Sequence, residues 1–350
     1  MTDPSVPQRD TLADSRPGLF WALAVYRSQD VGSAPCTDLS ESWSSRYRGP
    51  FVRRDASFEQ RAIAGMALFD PPGLGWLPSA PDFRDDTPDS AAARELLLPL
   101  IEAAAPRAPR ATEVDLREYF VDVQDQQTLH ASSAHAVASL VEYFERRASG
   151  RLLRPSRLFL YQNSLRVAGV EGDVGASLRN TLKAMVRCGI PPERYWPYAA
   201  ERLATTPDPF LYTFRDPYRD VRYIRLDRRE ARGAENLEHV KSYLAAGYPA
   251  AFGFAVPNSL TRDGDIPYRP TFDAPLGGQA MVAVGYDDRW LRGSRGALLV
   301  RSSWGSAWGD GGYGWLPYAY VEEQLAVEFW TLLHPAWLAS GEFDVPELTT

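Results

Sequence analysis

The chain has 350 residues, 45% of them apolar, 12% aromatic and 24% charged, enough for roughly two globular units of about 150 residues each. Its net charge of −7 and pI near 5.3 remove the basic footprint that nucleic acid or an anionic membrane surface requires. Two distant cysteines, Cys36 and Cys188, give no disulfide framework, and the apolar run at 18–26 is too short to span a bilayer, so a cytoplasmic protein is expected.

Residues 1–17 are polar and contain proline, which predicts a flexible N-terminus. Residues 18–75 read as a small α/β extension, with a strand near 18–27 and a helix near 57–68. The apolar run in it predicts that the extension packs on the body and is not a detachable propeptide. Residues 76–112 form a lead-in segment. It carries a helix over 89–104 (Leu96, Leu97, Leu100, Ile101) and a proline-rich step at 105–110.

The body, 113–340, divides into a helical half (113–215) and a β-rich half (216–340), with a tail at 341–350. Val137, Leu140, Val141 and Phe144 recur at helical spacing and predict a helix over 133–148. Ser132 and Ser133 stand at its start, where serine is a favoured N-cap. A second helix over 176–188 places Leu178, Leu182, Met185 and Val186 on one face; Gly189, Pro191 and Pro192 end it. A third over 234–246 turns Leu237, Val240 and Leu244 inward. Short apolar runs at 250–256, 279–285, 297–301 and 313–316, parted by turn residues, predict strands.

Several short segments carry a resemblance. Val114-Asp-Leu-Arg117 precedes Asp125-Gln126 and the helix at Ser132. Ser156–Tyr161 and the run Gly189–Tyr198 follow. Gly277-Gly278-Gln279-Ala280 leads into a strand, and Arg301-Ser-Ser-Trp-Gly-Ser-Ala-Trp-Gly-Asp-Gly-Gly-Tyr313 comes last. In this order they resemble the papain-like cysteine peptidases, most closely a bacterial branch, over residues 76–340. The resemblance implies an α+β, two-lobed fold, a helical half beside a β-rich half with a cleft between them. It sets Gln126 at the oxyanion-hole glutamine, Ser132 at the nucleophilic cysteine, Gln279 at the catalytic histidine and Ser302 at the orienting asparagine. His130 replaces a glycine at the groove rim, where its imidazole is expected to fill the groove. Ser133, Gly278, Trp304 and Trp308 complete the expected cleft wall.

A cysteine works as a nucleophile because a helix end or a cationic histidine makes it a thiolate; a serine hydroxyl needs an adjacent base. Gln279 cannot take a proton. Ser302 can bond Gln279 but has no imidazole to orient. A direct His130–Ser132 dyad is not expected. His135 reads as an interior residue, and His239 and His334 as packing or surface residues. There is no Cys or His pair at metal-ligand spacing, and the glycine-rich stretch 309–314 lacks the Lys-Ser/Thr ending of a phosphate loop, so no metal or cofactor is implied. Asp287-Asp288 reads as a solvated turn.

Two functions fit. One is a pseudopeptidase, catalytically inactive, that binds a peptide or protein or supports an assembly through the former cleft. The other is a Ser-dependent hydrolase or acyl transferase using Ser132, Gln126 and an unidentified base. A His, Asp or Lys side chain within about 3 Å of the Ser132 hydroxyl is the feature that separates them.

Overall fold

Burial, more than local propensity, decides the helices of this chain. The computed structural model describes residues 68–103, 110–228, 231–290 and 295–346. Helix α1 (Ala91–Ala103) lies in the lead-in, with Leu97 buried. Helix α2 (Ser132–Ser149) runs through the centre: every residue from Ser132 to Phe144 is buried. It stops at Gly150, whose φ of 69° is the left-handed conformation that glycine adopts without strain. Helix α3 (Arg157–Ala168) is capped by Ser156, whose hydroxyl accepts from the Phe159 N–H. Helix α4 (Leu178–Cys188) is capped in the same way by Ser177.

The β half is one antiparallel sheet. Its strands are β2 (Arg222–Arg225), β3 (Ala250–Pro257), β4 (Pro275–Asp287), β5 (Ala297–Arg301), β6 (Tyr313–Pro317) and β7 (Ala326–Leu333), in the order β2-β7-β3-β4-β5-β6. A short strand β1 (Glu113–Asp115) pairs with the far end of β4. Helix α5 (Gly233–Ala245) covers β4. Strand β3 is buried along its whole length, and α2 packs across β3 and β4, so the two halves share one core.

Two expectations need correction, and three elements carry no signal in the sequence. Ser132 and Ser133 do not cap α2: the N-cap is Ala131, with no side-chain bond, and both serines lie inside the first turn. Their hydroxyls are engaged by tertiary partners instead. Helix α3 has no periodic signal in the sequence: Leu158, Phe159, Leu160 and Tyr161 are consecutive and mark no single face. Strands β2 and β7 likewise lack a sequence signal; Glu328 interrupts the apolar pattern of β7. Strand β1 joins the sheet although it falls in the helical stretch of sequence. The expectations for residues 1–67, and for the proline-rich step except Arg110, lie outside the described residues. No helix among the described residues is long and apolar enough to cross a membrane.

Candidate functional site

The cleft between the two halves holds the chain's own residues 68–79. Leu68 bridges to Thr261, and the Phe69 N–H donates to the Leu260 carbonyl at 2.8 Å. The Phe69 ring meets Trp304 edge to face at 5.4 Å. The Trp304 indole N–H reaches the Gly73 carbonyl at 3.4 Å. The Leu74 carbonyl accepts from Gln126 Nε2 at 2.8 Å. Gly75 and Trp76 both donate their N–H to the Gly278 carbonyl at 3.0 Å. On the opposite wall Ala176 donates to the Gly75 carbonyl at 2.9 Å and accepts from the Leu77 N–H at 3.2 Å, as a parallel bridge. An extended segment therefore bonds through its backbone to both halves, as an added strand does.

Small residues make this fit possible. Gly75 has φ +119°, and a Cβ there would overlap the His130 backbone. The Trp76 indole, 1% exposed, lies flat against Gly253 and Gly278; a Cβ at Gly253 would fall inside the ring. A Cβ at Gly277 would sit 2.6 Å from Leu74 Cδ1. Residues 68–75 lie in the cleft; the apolar run at 18–26, on which the expected packing of 18–75 rests, is outside the described residues.

Beneath the segment lie the residues expected at the catalytic positions. Ser132 is fully buried, and its hydroxyl accepts from the Ala280 N–H at 3.2 Å. Among the described residues no His, Asp or Lys side chain is bonded to it. Gln126, Gln279 and Ser303 form a closed triangle. Gln279 Nε2 donates to Gln126 Oε1 at 2.9 Å and to Ser303 Oγ at 3.1 Å, and Ser303 Oγ donates to Gln126 Oε1 at 2.6 Å. The free amide hydrogens of Gln126 go to the Leu74 and Leu129 carbonyls, so the expected oxyanion donor already holds a backbone carbonyl.

Ser302 does not meet Gln279. Its hydroxyl donates to the Gly312 carbonyl at 2.9 Å and accepts from the Trp304 N–H at 3.3 Å. Neighbouring side chains in extended backbone face opposite ways, so Ser303 is the one that turns to the site. His130 does not fill the groove either. Its ring is half-exposed at the rim, with Nδ1 3.0 Å from Asp173 Oδ2, and its N–H donates to Asp173 Oδ1 at 2.9 Å. Tyr161 adds a third bond to that carboxylate at 2.7 Å. The Asp173 bond holds the His130 pKa above the usual imidazole value. Burial opposes ionisation of Asp173, but the bonds from His130 and Tyr161 outweigh it and keep the carboxyl below its usual range.

Ser133 touches the segment only indirectly, donating to the Ala176 carbonyl at 2.6 Å. Trp304 lines the cleft, whereas Trp308 is buried behind it with its indole N–H on the Thr261 carbonyl at 3.0 Å. His135 is buried edge-on to Tyr198, and burial pushes its pKa well down, with Arg157 and Arg301 adding to the effect. His239 is likewise interior, with Nδ1 2.7 Å from the Leu226 carbonyl. Asp288 is not a solvated turn residue: it accepts from Lys241 at 2.6 Å and from Tyr318 at 2.7 Å.

No family model matches the chain. Over 217 residues it is 31% identical to an uncharacterised peptidase C1-like protein of Acanthamoeba polyphaga mimivirus, spanning 59% of this chain and 68% of that protein. The chain belongs to the papain-like cysteine peptidase family. Among solved structures, this papain-like chain is similar to xylellain, a cysteine protease from Xylella fastidiosa, with a TM-score of 0.61 and 29% identity over 75% of this chain and 96% of that one. Procathepsin B from Trypanosoma congolense shares the fold, with a TM-score of 0.56 and 18% identity over 80% of this chain and 98% of that one.

Within this papain-like fold, sequence reasoning missed Trp76, Asp173, Ser303 and Glu328. The glycines on both sides of the cleft, 73 and 75 against 277 and 278, were the available signal for close backbone approach. The other three sit in positions set by contacts distant in sequence.

Proposed function

We propose that this papain-like chain is a pseudopeptidase, a cytoplasmic protein without peptidase activity that binds an extended peptide segment in the former substrate cleft and serves as a peptide- or protein-binding or assembly scaffold. The observation that carries this reading is Gln279. It occupies the position the resemblance gives to the base, and its buried amide is tied to Gln126 and Ser303. An amide cannot accept the proton that a serine nucleophile must lose. Loss of a triad member leaves only about 10³–10⁴-fold catalysis from binding and the oxyanion hole, and here Gln126 is itself turned to Leu74 and Leu129.

Residues 73–77 indicate what the cleft accepts: an extended backbone read by carbonyl and N–H groups on both walls, with one large aromatic seated on glycines. The rival reading, a Ser-dependent hydrolase or acyl transferase, draws on Ser132 beside Gln126 at a helix start. The test uses the full chain and its Trp76→Ala variant. Both are incubated with a peptide library and with a fluorophosphonate probe, and the variant is titrated with a synthetic peptide of residues 68–80. Neither protein should cleave or be labelled, and the variant should bind the peptide saturably. Labelling of Ser132 sinks the pseudopeptidase reading; no peptide binding by a folded variant sinks the binding role.

A further inference from the structure

Beyond the catalytic positions, the cleft segment is held at a second point, Ser79, by a buried carboxylate. The Ser79 N–H donates to Glu328 Oε1 at 2.5 Å and the Ser79 hydroxyl lies 3.1 Å from Oε2. Glu328 is 2% exposed and sits in β7 at φ +60°, a left-handed backbone that costs a non-glycine residue on the order of 1 kcal/mol or more. The β3–β7 register shifts between Ala251 and Gly253, opposite this residue. Such a bulge re-aims a side chain, and here it aims a carboxylate at the segment.

The charges around Glu328 do not balance. Arg225 forks onto Asp227, at 3.1 and 2.8 Å, and Asp227 also accepts the N–H groups of Glu328 and Phe329. Arg179 forks onto Asp85, which follows the segment in sequence, and its Nη1 donates to the Ala80 carbonyl at 2.6 Å. Both guanidiniums lie within 6 Å of the Trp330 ring centre, at 5.8 and 5.9 Å. Each is already matched by a carboxylate of its own. Glu328 is a third, buried carboxylate beside two cations whose forks go to Asp227 and Asp85.

We propose that Glu328 is a proton-operated latch for the cleft segment: it holds Ser79 as a neutral carboxylic acid, and withdrawal of residues 73–86 releases its proton. The acid can keep both contacts, its carbonyl oxygen accepting from the Ser79 N–H and its hydroxyl donating to Ser79 Oγ in place of the bond Ser79 Oγ donates to Oε2. Withdrawal over 73–86 takes Asp85 off Arg179 and breaks the bond from the Arg225 N–H to the Asp86 carbonyl. Arg179 is then free to pair with Glu328, which ionises. This rests on the reading of the cleft as a peptide-binding site and adds its regulation: the segment closes with uptake of one proton.

The direction follows from the closed state. Burial pushes Glu328 up to about 7 from an ordinary 4.5, helped by Asp227 and against the pull of Arg225, the Ser79 N–H and Arg179. A carboxyl that holds its proton more tightly when closed favours closure at low pH. The advantage is complete below the open-state value and is lost as pH rises to the closed-state one. With an open-state value at or below the ordinary 4.5 and a closed-state value of about 7, opening should rise by roughly thirtyfold or more between about pH 5 and 7, then level off.

Amide hydrogen exchange of residues 73–80 in the full chain, corrected for the intrinsic pH dependence, reads this opening without any ligand. Wild type should lose protection by about thirtyfold or more over that range. Glu328→Gln, which keeps both bonds to Ser79 but cannot ionise, should be flat. Asp85→Asn, which frees Arg179 in the closed state, should be flat as well. The pair His130–Asp173 is unchanged in both variants, so the difference isolates Glu328. If Glu328→Gln fails to fold, a protonated-carboxyl infrared band present at pH 6 and lost above 7 in wild type, and absent in Asp85→Asn, carries the same information. A flat wild type, a slope retained in Glu328→Gln, or no such band overturns the latch. None of these outcomes bears on whether a free peptide binds or Ser132 reacts.

Discussion

Gly253→Ala tests whether the cleft is built around its own segment. Gly253 lies in β3, and the three atoms nearest to an added Cβ all belong to the Trp76 ring. The methyl cannot coexist with the seated indole, so the variant should expel Trp76 while leaving the sheet intact. An aromatic side chain of this kind buries about 150–250 Å², worth about 4–6 kcal/mol by area as an upper bound. Measured aromatic-to-alanine changes in cores centre on about 3–5 kcal/mol. Trp76→Ala should therefore cost about 3–5 kcal/mol of unfolding free energy, and Gly253→Ala about the same, because each ends the same contact. In the Trp76→Ala background the added methyl no longer meets the ring and removes unfolded-chain freedom, so it should cost less than about 1 kcal/mol or stabilise slightly. The coupling expected in the double-mutant cycle is about 2–4 kcal/mol, read from urea midpoints with exchange of residues 73–79 as the local probe. Coupling below about 0.5 kcal/mol, or full protection of the segment in Gly253→Ala, would refute the packing argument.

Three further outcomes are expected. Ser132→Cys alone should give no turnover with peptide substrates, because the new thiol gains no base from Gln279 and stays mostly protonated; measurable hydrolysis would reveal another base. His135 is held neutral by burial, below its unfolded pKa near 6.5, so its contribution is present above that value and lost as pH falls below it. His135→Phe should accordingly flatten the decline of the urea midpoint between pH 6.5 and 4.5, and an unchanged slope would count against it. Arg157→Ala should cost about 3–5 kcal/mol, because it strands the buried Glu142 carboxylate now paired at 2.7 Å; a thermal scan of the variant showing no loss would contradict that.

Much of the fold was legible in the residues. Helices with one apolar face, such as α2 and α4, announce themselves through spacing, and short apolar runs between turn residues mark β3, β4, β5 and β6. Helix α3 was hidden because its apolar residues run consecutively from Leu158 to Tyr161 and mark no single face, and β7 because a glutamate stands within it. At the site, the identities at 126, 132 and 279 could be read directly from their motifs. The sequence by itself also determined that no proton acceptor occupies position 279, since residue type alone settles what an amide can do.

Tertiary structure decided the rest. That Ser303 and not Ser302 meets Gln279, that His130 turns to Asp173, and that residues 68–79 fill the cleft are matters of direction and of contacts spanning tens to hundreds of residues. Spacing in a chain encodes which face a residue shares with its near neighbours. It does not encode which distant segment a glycine-lined groove will receive, because that depends on shapes and charges assembled only when both halves are folded around it.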